Sequence, residues 1–264
     1  SLCDGVEAVV HLAARVHIMR DTARDPLAES RLVNVTATRN LAEAAAISGV
    51  RHFIYLSSIK VNGECSSDQP FTEADMPAPQ DAYAISKHEA EQALSDVATR
   101  TTLGITILRP PLIYGHGVKG NFAALVQAVL RGVPLPLGAI RNRRSLLYAG
   151  NLADAILATL ARPAGGVRTY LISDGEDMST PELIRFIAAA VKREAILWPV
   201  PPALLRLGGK LTGRSIAVDR LLGSLRIDNS RFCRDFNWRP PYDVEAAMAA
   251  SLASAAPGIQ SPRP

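Results

Sequence analysis

The stretch 6–13 (VEAVVHLA) is apolar almost throughout, a pattern suited to a buried parallel strand rather than to one with a solvated face. Residues 26–47 then carry apolar side chains at helical spacing until Ser48 and Gly49 close the run. A second short apolar run at 52–57 (HFIYLS), helical spacing over 81–98 and a third run at 104–109 (GITILR), stopped by Pro110 and Pro111, continue the alternation. Strand and helix in alternation predict a parallel sheet with right-handed crossovers, whose ligands lie beyond the carboxyl ends of the strands.

After Pro111 the pattern changes. It predicts a helix over 121–130, a Gly/Pro-punctuated strand over 133–137, an apolar run at 146–148 and a helix over 151–160. A strand over 169–172 precedes a helix that starts at Ser179-Thr180-Pro181-Glu182, where Ser179 can cap and Pro181 sits near the first helical position. Short helices fill the chain to about 255, and the Pro-bearing tail 257–264 is expected to be disordered.

Composition supports a folded chain: 264 residues, 48% hydrophobic and 20% charged. Cys3, Cys65 and Cys233 form neither a CxxC pair nor a metal-type spacing, so no disulfide scaffold and no metal site is expected, and a reducing cytoplasm fits. The greasiest stretch, 197–211, is interrupted by Arg206 and Lys210, which excludes a spanning helix there. The chain starts without Met and without a secretory pattern, and a cut start is expected. Net charge is +4, and the one dense basic cluster is Arg141, Arg143 and Arg144 around Asn142. It is either a solvated surface or a seat for phosphates; no aromatic interleaving points to nucleic acid.

Tyr83 and Lys87 stand at i and i+4 on the helix over 81–98, so both can face one ligand. An ammonium beside a phenol favours the phenolate and would make it a usable acid/base. Tyr-x-x-x-Lys alone occurs by chance. Ser57 and Ser58, however, fall where the second strand ends, at the sheet edge that receives ligands. Serines there can simply terminate a strand; with the Tyr/Lys helix about 25 residues on, they point to catalysis at one oxygen atom.

The fragments VVHLAARVH, NVTATRNLAEAA, FIYLSSIKVNGE, YAISKHEAE, LRPPLIYGHG and RRSLLYAGNLADAI resemble, in order and spacing, the extended short-chain dehydrogenase/reductases, in their epimerase/dehydratase branch. The resemblance implies an α/β, Rossmann-like doubly wound parallel sheet, truncated at its amino end, with a smaller mixed α/β carboxyl-terminal lobe. Residues 1–109 with about 146–173 would be the remainder of a dinucleotide-binding domain; 110–145 and 174–256 would form the substrate lobe. Ser58, Tyr83 and Lys87 match the catalytic Ser/Thr, Tyr and Lys. Leu12, Ala13, Ala14, Ser57, Tyr83, Lys87 and the segment from Pro110 to Ile113 would meet NAD or NADP, and Ser58, Asn121, Phe122, Arg144 and Arg220 a UDP-sugar, with forked arginines suiting the diphosphate.

By the same resemblance, the expected reaction is hydride transfer at C4 of a UDP-hexose or UDP-N-acetylhexosamine, in surface polysaccharide biosynthesis. A 4-keto-6-deoxy-hexosamine 4-reductase is the alternative, and a non-catalytic binding protein of this fold is the alternative of another class. A homodimer through the helices at 26–47 and 81–98 is expected. Three departures bear on this. Ile59 and Lys60 stand where sugar 4,6-dehydratases carry an Asp-Glu pair, which disfavours water loss. Asn62 stands where many epimerases have Tyr, which puts plain UDP-glucose epimerisation in doubt. No GxxGxxG turn follows a strand; Gly165-Gly166 and Gly208-Gly209 lack the context, so two supersecondary units are expected ahead of Ser1.

Overall fold

The computed structural model describes residues 3–16, 24–118, 120–163, 165–213 and 215–253. Strand β1 (Ala8–His11) leads to helices α1 (Pro26–Arg31) and α2 (Ala37–Ile47), then to β2 (His52–Leu56), α3 (Ala82–Arg100) and β3 (Gly104–Arg109). β4 (Leu112–Tyr114), α4 (Asn121–Leu130), β5 (Arg144–Tyr148), α5 (Ala149–Leu160) and β6 (Val167–Leu171) follow. The remainder is β7 (Asp177–Met178), α6 (Thr180–Ala190), α7 (Pro202–Leu211), α8 (Ser215–Leu222), α9 (Ser230–Phe236) and α10 (Val244–Leu252).

Strands β1, β2, β3 and β6 pair in that order, all parallel, and β4, β5 and β7 form a second, three-stranded mixed sheet. The apolar runs are buried because the main sheet is covered on both faces. Phe53, Tyr55, Ile105 and Ile107 pack against the alanines and Leu94 of α2 and α3 on one side. Ile54, Leu108 and Tyr170 meet Leu152 of α5 and the Phe232, Phe236 and Trp238 group on the other. Each such side chain contributes roughly 2 kcal/mol through burial. The second sheet has its own core, in which Tyr114, Phe122, Ile184, Ile187 and Met248 join α4, α6 and α10.

The structure departs from the sequence pattern in three places. The span 26–47 is helical but wound as a π-turn over Leu32–Thr36. That extra residue turns Asn34 inward, where it bonds the backbone of Arg15 in both directions and the hydroxyl of Ser86 on α3. The segment following β1 is thereby tied to α3, a use typical of π-bulges. The run 133–137 supplies only an isolated bridge, Leu135 to Leu197, since Pro134 and Pro136 have no N–H to donate. Within 146–173, β6 extends the main sheet, whereas the strand over 146–148 belongs to β5 of the smaller one. The tail 257–264 lies outside the described residues. Among the described residues no helix is long and apolar enough to cross a membrane.

Candidate active site

The four parallel strands end at one edge, and there the segments after β2 and β3 are held together. Beyond β2 the ladder continues through Ser57 N–H to the Leu108 carbonyl and Ile59 N–H to the Pro110 carbonyl, at 2.8 and 2.9 Å. Ser58, in extended backbone, then caps a single 3-10 turn at Ile59–Val61 by accepting from Lys60 N–H at 3.3 Å. Across from it α3 begins at Asp81, whose carboxylate accepts from Ala84 N–H at 2.8 Å. This cap sets the first turn of the helix, so that the Tyr83 side chain approaches Ser58 at the strand end. One turn further on, Lys87 is 2% exposed; its ammonium donates to the Leu56 carbonyl at 2.7 Å and lies 4.5 Å from the Tyr55 ring centroid. The Tyr83 ring centroid is 5.9 Å from the same ammonium. The structure thus brings Ser58, Tyr83 and Lys87 together at the carboxyl edge.

Their electrostatics depart from the sequence expectation. Burial raises the Tyr83 phenol and the Asp81 charge adds to it; the neighbouring Ser58 hydroxyl offsets part, leaving it pushed up to about 12. Burial lowers Lys87 to about 8, against the pull of Glu91. Lys87 does not produce a phenolate in the ligand-free protein, because its charge is spent on the Leu56 carbonyl and is itself costly to bury. Tyr83 rests as a proton donor.

Below this edge lies a buried ionic network. Glu91, one turn beyond Lys87, accepts from Arg109 of β3 in two-pronged fashion at 2.9 and 2.5 Å and from the Ser57 hydroxyl at 2.5 Å. Arg109 also donates to Asn62, which reaches the Thr72 carbonyl. Ser57, expected at the cofactor, therefore has its hydroxyl committed to Glu91 and presents only backbone. Asn62 serves this network and is 2% exposed. Glu91 was missed by sequence reasoning, although its i+4 spacing from Lys87 puts it on the same helix face.

The remaining expected residues are distributed unevenly. Leu12 and Ala13 lie exposed and Ala14 partly exposed just past β1, while Pro110 is buried and Ile113 half-buried beyond β3. Asn121 is exposed at the start of α4, but the Phe122 ring is in the lobe core, 5.6 Å from Tyr114, because α4 buries that face. Phe122 can offer a ligand only its backbone. Arg144 donates to the carbonyls of Arg220 and Gly223, at 2.8 and 2.9 Å, and so stops the carboxyl end of α8. Arg220 pairs with Glu64 at 3.2 Å and Asp81 at 3.5 Å, and Lys60 with the same two carboxylates at 3.0 and 2.7 Å. Asn142 is buried among Thr180, Leu221 and Gly223, while Arg141 and Arg143 are exposed. Sequence reasoning had not linked Lys60, Glu64 and Asp81.

An exposed apolar shelf at 12–14 beside a buried lysine fits the nicotinamide and ribose end of a dinucleotide. Among the described residues no glycine turn is placed to receive its pyrophosphate: Gly208 and Gly209 lie inside α7, and Gly165 and Gly166 lead into β6. No group of three or more His, Cys, Asp or Glu among the described residues is arranged to hold a metal ion.

Comparison with known proteins agrees with this geometry. Residues 2–173 match the NAD dependent epimerase/dehydratase family. The chain is 44% identical over 239 residues to a UDP-glucose 4-epimerase of Vibrio cholerae, covering 90% of this chain and 73% of that protein. It is 30% identical over 241 residues to an N-acetyl-alpha-D-glucosaminyl-diphospho-ditrans,octacis-undecaprenol 4-epimerase of Escherichia coli O157:H7, covering 87% and 68%. Among solved structures, RMD from Pseudomonas aeruginosa complexed with NADPH shares the fold, with a TM-score of 0.74 at 23% identity over 93% of this chain and 80% of that one. With well over half of its residues matched and a relative at 44% identity, the chain belongs to the NAD-dependent epimerase/dehydratase family.

Proposed function

We propose that this protein is an NAD(P)-dependent nucleotide-sugar epimerase that inverts C4 of a UDP-hexose or UDP-N-acetylhexosamine. The observation that carries the reading is the gathering at the carboxyl edge of Ser58 at the strand end, Tyr83 in the first turn of α3 and buried Lys87 one turn on, whose ammonium lies 5.9 Å from the Tyr83 ring centroid. The Vibrio cholerae and Escherichia coli relatives, both 4-epimerases by name, support the C4 assignment.

Tyr83 exchanges a proton with the C4 oxygen, Ser58 holds that oxygen, and Lys87 holds the nicotinamide ribose. Bound NAD(P) would supply the hydride acceptor and a positive charge to oppose the burial that raises Tyr83. Leu12, Ala13, Ala14, Pro110 and Ile113, with the Ser57 backbone, form the wall against the cofactor. Asn121, the Phe122 backbone, Arg144 and Arg220 receive the nucleotide, and Arg220 exchanges its carboxylates for the diphosphate. Ile59 and Lys60 offer no carboxylate pair to expel water, which separates the reaction from dehydration. A product destined for surface polysaccharide fits the Escherichia coli relative's lipid-linked sugar. Pairing of two copies through α1, α2 and α3 is supported by exposed Leu32 and Val33 on the π-turn between α1 and α2 and exposed Ile47 at the end of α2.

The test supplies the full-length protein and NAD(P) with a UDP-hexose and follows C4 configuration by proton NMR. Formation of the C4 epimer without net NAD(P)H consumption is the expected result. Stoichiometric NAD(P)H consumption with a 4-keto substrate only would replace the epimerase with a 4-ketoreductase, and no NAD(P)H binding would leave a non-catalytic protein of this fold.

A further inference from the structure

The four-charge cluster at the mouth of the site is not accounted for by the reaction as proposed. Lys60 follows Ser58 by two residues, and Asp81 precedes Tyr83 by two. The Lys60 ammonium to Asp81 Oδ2 distance is 2.7 Å, so one ion pair ties the segment bearing the hydroxyl to the helix start bearing the phenol. Both ends are anchored independently: Lys60 N–H donates to the Ser58 hydroxyl oxygen, and Asp81 Oδ1 accepts from Ala84 N–H. Lys60 and Asp81 side chains are 24% and 20% exposed, sheltered enough for the pair to matter more than a surface bridge.

We infer that Lys60 is a positioning residue for Tyr83: it fixes the spacing between Ser58 and the phenol and neutralises Asp81, the carboxylate two residues before that phenol. This rests on the catalytic reading of Tyr83. The charged and titratable groups around Tyr83 are Asp81 and Lys87 of α3 and its cap, Tyr55 of β2, Lys60 and Glu64 of the 3-10 turn and its sequel, and Arg220 of α8. Glu91 and His11 are charged and titratable neighbours of Lys87. Asp81 raises the phenol and, despite its burial, is kept below the usual carboxylate range by Lys60, the Ala84 N–H and Arg220. Once Arg220 turns to a diphosphate, Lys60 is the lysine or arginine still paired with Asp81. A lysine where dehydratases carry an acid thus has a use in a reaction that needs the phenol and no second acid.

Two substitutions in the full-length protein should act with opposite sign. Lys60→Gln leaves Asp81 uncompensated, so the acid limb of kcat moves to higher pH by about one pH unit, a roughly tenfold loss at neutral pH, with KM within about twofold. Asp81→Asn keeps the helix cap, since Asn caps as well as Asp, and moves the limb to lower pH; Lys60→Arg restores the wild-type profile. Shifts in the same direction, or none, overturn the inference. If the wild type shows no epimerisation, the proposed function fails, and NMR titration of carbon-13-labelled tyrosine in the ligand-free protein decides the inference instead. Tyr83 must ionise at lower pH in Asp81→Asn than in wild type, and an unchanged titration overturns it.

Discussion

Tyr83 gathers the chemistry because three independent constraints meet at its hydroxyl: the Asp81 cap that sets its turn, the Ser58 hydroxyl at the strand end, and burial that keeps it protonated. Replacing it by Phe removes one oxygen from a half-buried ring, so the fold should survive while kcat falls by about 10²–10⁴-fold, read in the epimerisation assay with circular dichroism as the control. The grouping of Ser58, Tyr83 and Lys87 was legible in the sequence because their relation is local: i to i+4 along a helix, or the end of an apolar run. Lys60, Asp81 and Glu64 were not, because their pairing joins a 3-10 turn to a helix 21 residues away and depends on how the two segments dock. The direction of the Tyr83 shift was misread for the same reason; spacing shows that an ammonium is near, but not that a backbone carbonyl has claimed it.

Among the elements, the Glu91–Arg109 pair joins α3 to β3 beneath the site, each side chain 7% exposed. Removing one partner strands a buried charge, so Glu91→Ala should destabilise by about 3–5 kcal/mol, a fall of roughly 10 °C in Tm for a chain of this size. Calorimetry reads the loss, and the Ser57 and Asn62 contacts should loosen with it. Elements with strong periodicity were readable from sequence: the run 104–109 and the helix over 121–130 stand where the pattern put them. The π-turn was hidden within 26–47 because apolar spacing scarcely changes over one inserted residue. The strand over 133–137 failed because side-chain pattern says nothing of the amide hydrogens that its prolines lack.

For the whole molecule, buried titratable groups set how stability varies with pH. His11 and His52 are both lowered from 6.5, mainly by burial, so the unfolded chain binds protons first and stability should fall as pH drops below about 6.5. Lys87, at about 8 in the folded chain against 10.5, adds stability as pH rises through that window. In guanidinium unfolding, Lys87→Met should lack this rise, so its difference from wild type changes between pH 8 and 10.5. On the outside, Ile47 is 88% exposed on α2. Ile47→Lys should shift the full-length protein from dimer to monomer in light scattering, and a wild type that is already monomeric contradicts the pairing.

Hydride transfer at C4 with return to the same carbon is the claim on which the functional account turns. A UDP-hexose carrying deuterium at C4 tests it: the account predicts a slower reaction and an epimer that keeps its deuterium at C4, with none taken from solvent. Exchange of the label with water, or an epimer inverted at another carbon, would contradict it.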